Sequence, residues 1–133
     1  MISARIIGLT ESYKAGKVIF KEGTFGEGTY VVIEGQIEIS KMVNNDKIII
    51  AKLGKGDIFG EMSYLDRGPR SAHVMAITDV TVGLLNKDLL EEEINKTAEY
   101  FMVIIKAIVK RLRNTTLELV SLKEQCARNI KKN

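Results

Sequence analysis

Phe59-Gly60-Glu61-Met62-Ser63-Tyr64-Leu65-Asp66-Arg67-Gly68-Pro69-Arg70-Ser71-Ala72 places a Gly-Glu pair nine residues ahead of an Arg-Ser-Ala. Between them lies a turn-rich connection of Asp66, Gly68 and Pro69. A carboxylate and a guanidinium brought back onto one small ligand suit a molecule that carries both hydroxyls and a phosphate. Gly60 allows close backbone approach. Glu61 can accept two hydrogen bonds from sugar hydroxyls, and Arg70 presents a planar fork matched to a phosphate. Backbone N–H groups at Ser71 and Ala72 can complete an anion-binding nest.

A lone Gly-Glu or Pro-Arg would signify only a surface turn with solvated charges. Here Gly60, Glu61, Pro69, Arg70, Ser71 and Ala72 stand together in one order and spacing. The segment resembles the phosphate-binding cassette of the cyclic nucleotide-binding domains, the family of the bacterial catabolite activator and the kinase regulatory subunits.

Upstream and downstream of the cassette, up to residue 85, glycines punctuate short β-rich runs at 18–20, 30–33, 36–40, 48–53, 72–76 and 81–85. Residues 36–40 alternate polar and apolar side chains, whereas 48–50 read as a strand buried on both faces. Asn44-Asn45-Asp46 forms a hairpin tip, since Asn and Asp tolerate the required turn conformations. Many short strands with tight turns predict a mainly β fold with a C-terminal α part: an antiparallel β-roll, jelly-roll-like. The family's double-stranded β-helix has its corners where Lys21-Glu22-Gly23, Glu34-Gly35 and Gly54-Lys55-Gly56-Asp57 fall here. The expected organisation is one domain over 1–133, with the roll at about 12–85, the cassette at 59–72 and C-terminal helices at about 86–129.

After Leu85 the texture changes. Asn86 or Asp88 can cap a helix, and Glu91-Glu92-Glu93 suits a first turn. From about 96 to 129 there is no Gly and no Pro, which predicts one long helix with a bend allowed near its start. Its apolar seam keeps a heptad, with Ile105, Leu112, Leu119 and Cys126 at one core position and Phe101, Ile108, Thr115 and Leu122 at the other. The seam persists past Leu112, which packing on the chain's own strands does not require. It therefore predicts a parallel homodimer through 101–126, with Glu118 facing Lys123 of the second copy.

The 133 residues are enough for a single core, and 45% hydrophobic with 28% charged residues is ordinary for a soluble globular chain. The longest apolar stretch, 100–105, is far too short to span a bilayer, so no membrane partner is expected. No apolar segment with a cleavage site opens the chain. One cysteine, Cys126, excludes an internal disulfide framework and suits a reducing cytoplasm. A single histidine rules out a His-rich metal centre, and with it a metal-dependent cupin. The chain up to Glu93 is net acidic and the remainder strongly basic. Such a tail reads as a solvated helix whose cations favour its C-terminal dipole.

The resemblance implies roles on matching positions. Glu61 takes the ribose 2′-hydroxyl and Arg70 the cyclic phosphate. Ser71 adds its hydroxyl, with the Ser71 and Ala72 backbone assisting, and Ile50 and Leu53 wall the base pocket. Residues 111–116 resemble the helix of the bacterial activator that meets adenine. There Thr115 contacts the exocyclic amine and Thr116 reaches the other subunit's nucleotide, while Arg111 either pairs with Glu61 or stays a surface charge. A seam hydroxyl at Thr115 is costly without a partner. Residues 1–11 are short for the family's opening helix, and His73 reads as structural. The implied ligand is cyclic AMP, with cyclic GMP also possible because Ser71 retains a hydroxyl. No catalytic arrangement, metal cluster or P-loop is visible, so a sensor module is expected rather than an enzyme. No DNA-binding domain is expected within this chain. The rival readings are a nucleotide-blind scaffold, or the sensor piece of a larger transcription factor, channel or kinase.

Overall fold

The computed structural model describes residues 4–132. A 3-10 turn at Ala4–Ile6 leads into β1 (Ile7–Tyr13), β2 (Val18–Phe20), β3 (Tyr30–Glu34), β4 (Ile37–Val43), β5 (Asp46–Leu53) and β6 (Ile58–Phe59). Then come α1 (Glu61–Asp66), β7 (His73–Ala76), β8 (Val80–Leu85), α2 (Lys87–Lys96) and α3 (Glu99–Lys132). The strands divide between two four-stranded antiparallel sheets, in the orders β1-β8-β3-β6 and β2-β7-β4-β5.

The expected β-roll is therefore corrected. Neither sheet closes: β1 pairs only with β8 and β6 only with β3, while β2 pairs only with β7 and β5 only with β4. Four outer edges remain, so no barrel or roll forms. Two stacked open sheets satisfy the same short-strand, tight-turn pattern, which is why that pattern misled. The class changes as well. The helices cover more of the described residues than the strands do, with α3 alone spanning 34 residues, and the fold is mixed α/β.

The core lies between the sheets. Val32, Phe59, Val80 and Val82 from the first meet Ile37, Val74 and Ala76 from the second. Buried positions alternate along β7, as period-2 geometry demands, while β8 buries Val80, Val82 and Leu85 together with Gly83. The β4–β5 hairpin turns on two residues, Asn44 (φ 52°) and Asn45 (φ 68°), both left-handed. Two positive φ values match the right-handed twist of the flanking strands.

The single long helix expected from about 96 onward is α3, and a separate helix, α2, precedes it. Asn86 caps α2 by accepting the Leu89 N–H at 3.1 Å. Thr97 ends α2 in an extended conformation (φ −79°, ψ 136°), with its N–H turned back to Ile94 O. Its hydroxyl also donates to Glu93 O at 3.0 Å. A threonine whose side chain competes for backbone partners ends the helix without Gly or Pro.

α3 is about 50 Å long at 1.5 Å per residue. It packs through buried Val109, Val120 and Glu124. Near its C-terminal end it runs against the β4–β5 hairpin, where Lys123 Nζ donates to Ile49 O at 3.1 Å. Asn44 Nδ2 donates to Glu124 Oε1 at 3.5 Å, and Glu124 also pairs with Arg128. The helix thus lies along β5, an outer strand of the second sheet.

Candidate functional site

A cavity of about 260 Å³ opens between the second sheet, the cassette and α3. Its apolar wall comes from Phe20, Ile39, Ile50, Leu53, Ile58 and Val74. Its polar edge is the cassette, from Gly60 and Glu61 to Arg70, Ser71 and Ala72. α3 contributes Leu112 and Thr116.

Gly60 starts the polar edge. It holds φ 82° as the residue before α1, and a Cβ there would lie 2.7 Å from Gly28 O. Both the conformation and the close approach require glycine. The turn delivers Glu61 as the first residue of α1, half-buried against the cavity, and its carboxylate has no partner among the described residues.

Arg70 is only 5% exposed. Its backbone bridges the 21–29 loop, since Gly23 N donates to Arg70 O and Arg70 N donates to Thr24 O, each at 2.8 Å. Its Nη1 donates to Gly28 O at 2.9 Å and to Gly60 O at 3.2 Å. Its Cζ stands 4.1 Å from the centre of the Phe20 ring and 5.9 Å from that of Tyr30. A Cβ on Gly26 would come within 3.1 Å of Nη2, so glycine there leaves that edge of the fork uncrowded. Burial pushes the Arg70 guanidinium down from its ordinary value, and the phenol of Tyr30 partly opposes this. Arg70 joins none of the ion pairs among the described residues. A buried cation without a carboxylate is costly, and carbonyls and ring faces offset only part of that cost.

The remaining sequence-predicted positions divide. Ile50, Leu53, Ser71 and Ala72 line the cavity with Gly60, Glu61 and Arg70. Thr116 lines it too, whereas Thr115, expected against the base, is exposed and does not line it. Arg111 is exposed and makes no pair with Glu61 in this chain. His73 accepts the Glu22 N–H through Nδ1 at 3.2 Å and stays off the cavity wall.

Sequence reasoning missed the aromatic seat of Arg70. Phe20, Tyr30 and Phe59 cluster with centroids 4.9 to 6.1 Å apart, from three different strands. It also missed α1 and the contact of α1 with α3. Arg113 Nε donates to Asp66 Oδ2 at 2.5 Å and Nη2 donates to Asp66 Oδ1 at 3.0 Å. An acid and an Arg separated by 47 residues carry no local signal of pairing. Among the described residues no group of His, Cys, Asp and Glu could hold a metal ion. No helix there is long and apolar enough to cross a membrane.

Residues 10–97 match the family model of the cyclic nucleotide-binding domain. The cyclic AMP receptor protein of Thermus thermophilus is 33% identical over 118 residues, 88% of this chain and 55% of that protein. The CRP-like cAMP-activated global transcriptional regulator of Mycobacterium tuberculosis is 29% identical over 111 residues, 83% of this chain and 50% of that protein. The cyclic AMP-bound form of the EAL enzyme Bd1971 superposes with a TM-score of 0.75 at 26% identity, covering 93% of this chain and 34% of that one. The chain thus spans about half the length of the curated relatives it matches. The matched region is a regulatory module rather than a catalytic one, and it includes every cassette residue of the cavity. On this agreement of cassette, cavity and match, the chain belongs to the cyclic nucleotide-binding domain family.

Proposed function

We propose that the chain is a sensor that binds cyclic AMP in the cavity beneath α3 and passes occupancy to that helix and to a dimer. One observation carries the reading: Arg70 is a buried cation without a counter-ion, on the same cavity edge as the unpartnered carboxylate of Glu61. A cyclic phosphate supplies the missing anion and a ribose 2′-hydroxyl the missing donor. Ser71 and the backbone at Ala72 complete the phosphate nest, while Ile50 and Leu53 wall the base. Thr116 meets the base from the chain's own α3, and Thr115 faces the second copy. Relatives named for cyclic AMP support this ligand, and the EAL enzyme that superposes here also has a cyclic GMP-bound form. Cyclic GMP is accordingly the second purine to test.

Dimerisation through α3 is part of the same proposal. Phe101, Ile108, Leu112, Leu119 and Leu122 are all exposed on the helix at heptad spacing. Lys123, expected to meet Glu118 across the seam, is already engaged by Ile49 O, so the apolar positions rather than that pair hold the two copies.

Calorimetric titration with cyclic AMP and cyclic GMP tests the ligand. We expect saturable one-site heat with cyclic AMP, lost in Arg70→Ala. A wild-type protein that gives no heat with either nucleotide overturns the reading.

A further inference from the structure

We infer that Asp66 and Arg113 are positioning residues that strap α3 across the mouth of the cavity and set how fast bound nucleotide leaves; this rests on the function proposed above. α1 starts at the cavity with Glu61 and ends at Asp66. α3 lines the cavity with Leu112 and Thr116, and Arg113 lies between them in sequence. The two elements are joined by a two-pronged pair, Nε to Oδ2 at 2.5 Å and Nη2 to Oδ1 at 3.0 Å. Among the described residues it is the only hydrogen-bonded contact between the cassette and α3.

Three further features show that the pair has a built seat. Both side chains are half-buried, at 20% and 24% exposure, so water screens the pair less than it would on the surface. Gly68 N donates to Asp66 Oδ1 at 2.9 Å and fixes the carboxylate. A Cβ on Gly68 would fall 3.1 Å from Asp66 Oδ1 and 3.4 Å from Arg113 Nη2, so glycine at this turn leaves the room the pair occupies.

The consequence is directional. Nucleotide seated between the cassette and Leu112–Thr116 cannot leave unless α3 lifts from α1, and lifting breaks both prongs together. Bidentate geometry adds both energy and geometric specificity to that hold. Arg113 touches no ligand group in this assignment. It acts through the position of Leu112 and Thr116.

Stopped-flow release of a fluorescent cyclic AMP analogue tests the strap in wild type, Asp66→Asn, Arg113→Gln and the exchanged pair Asp66→Arg with Arg113→Asp. We expect release to quicken about three- to tenfold in each single variant, the range for a partly screened pair, and to recover at least partly in the exchange. Hydrogen exchange of the ligand-free protein over 108–118 should accelerate in the single variants. Unchanged release in both single variants, with wild-type binding intact, overturns the strap and leaves the binding site standing. Should the wild type fail to bind the analogue, the site reading falls, and the ligand-free exchange alone judges the strap: unchanged protection sinks it. Circular dichroism melting separates a lost strap from a lost fold, and the exchanged pair tests the charges should a single variant fold poorly.

Discussion

The Cζ of Arg70 stands 4.1 Å from the centre of the Phe20 ring, while Nη1 reaches back to the carbonyls of Gly28 and Gly60. The proposed ligand anchor is therefore also a structural tie between β2, the 21–29 loop and the cassette. Function and stability meet in this one side chain.

Arg70→Ala should lower both nucleotide affinity and stability. Losing charge-assisted hydrogen bonds at about 1.5–3 kcal/mol weakens cyclic AMP tenfold or more. Two carbonyls also lose their donor, so urea unfolding should shift to lower concentration. Arg70→Lys restores charge without the fork and should recover less of the affinity than of the stability. Full affinity in the alanine variant would place the phosphate elsewhere.

At Gly60 a single methyl group has nowhere to go. Gly60→Ala places a Cβ 2.7 Å from Gly28 O at φ 82°, so the start of α1 must shift. The expected cost is about 1–3 kcal/mol, with weakened binding because Glu61 moves with the turn. A variant matching wild type in melting temperature and affinity would show the turn to be relaxed.

The strap predicts a pH signature. Burial acts to raise the Asp66 carboxyl, but the hydrogen bonds from Arg113 and Gly68 and the Arg113 charge outweigh it, and the net shift is downward from its ordinary value of 3.8. A depressed folded value means the contribution is fully present above the ordinary value and lost as pH falls through the lower one. The stability difference between wild type and Asp66→Asn should be constant from neutral pH down to about 5 and shrink in stronger acid. Denaturant titrations at stepped pH measure it, and a difference that grows in acid would contradict the assignment.

Leu119 and Leu122 are 42% and 60% exposed, one from each heptad position and both outside the cavity lining. Leu119→Asp with Leu122→Asp should give monomer by sedimentation, since two charges would be buried at successive seam positions. A wild type that sediments as monomer at high micromolar concentration removes the seam from the proposal.

What the sequence disclosed was local chemistry at the right spacing. Gly60, Glu61, Arg70 and Ser71 are legible because glycine, acid, base and hydroxyl lie within one short segment. The Asn44-Asn45 hairpin is legible because few residues accept two successive positive φ values. The topology was not. Strand lengths and turns are the same for a closed roll and for two open sheets, and only the pairing of distant strands distinguishes them. The long α3 was legible in the run from about 96 without Gly or Pro, and Thr97, which ends α2 through its hydroxyl and extended backbone, stands where a bend was allowed. Arg70's aromatic seat draws on β2, β3 and β6, and Asp66 read as a turn residue until α3 brought Arg113 beside it.

The engagement of Ile49 O by Lys123 also bears on how far α3 can travel. β5 is an outer strand with Ile48, Ile49 and Ile50 in succession, and α3 runs along it. An uncovered apolar edge is a template for another chain. Wholesale release of α3 would therefore uncover that edge to self-association. Lys123→Gln should bring on turbidity at lower protein concentration while leaving nucleotide affinity untouched, and equal solubility would show the edge to be guarded by other means.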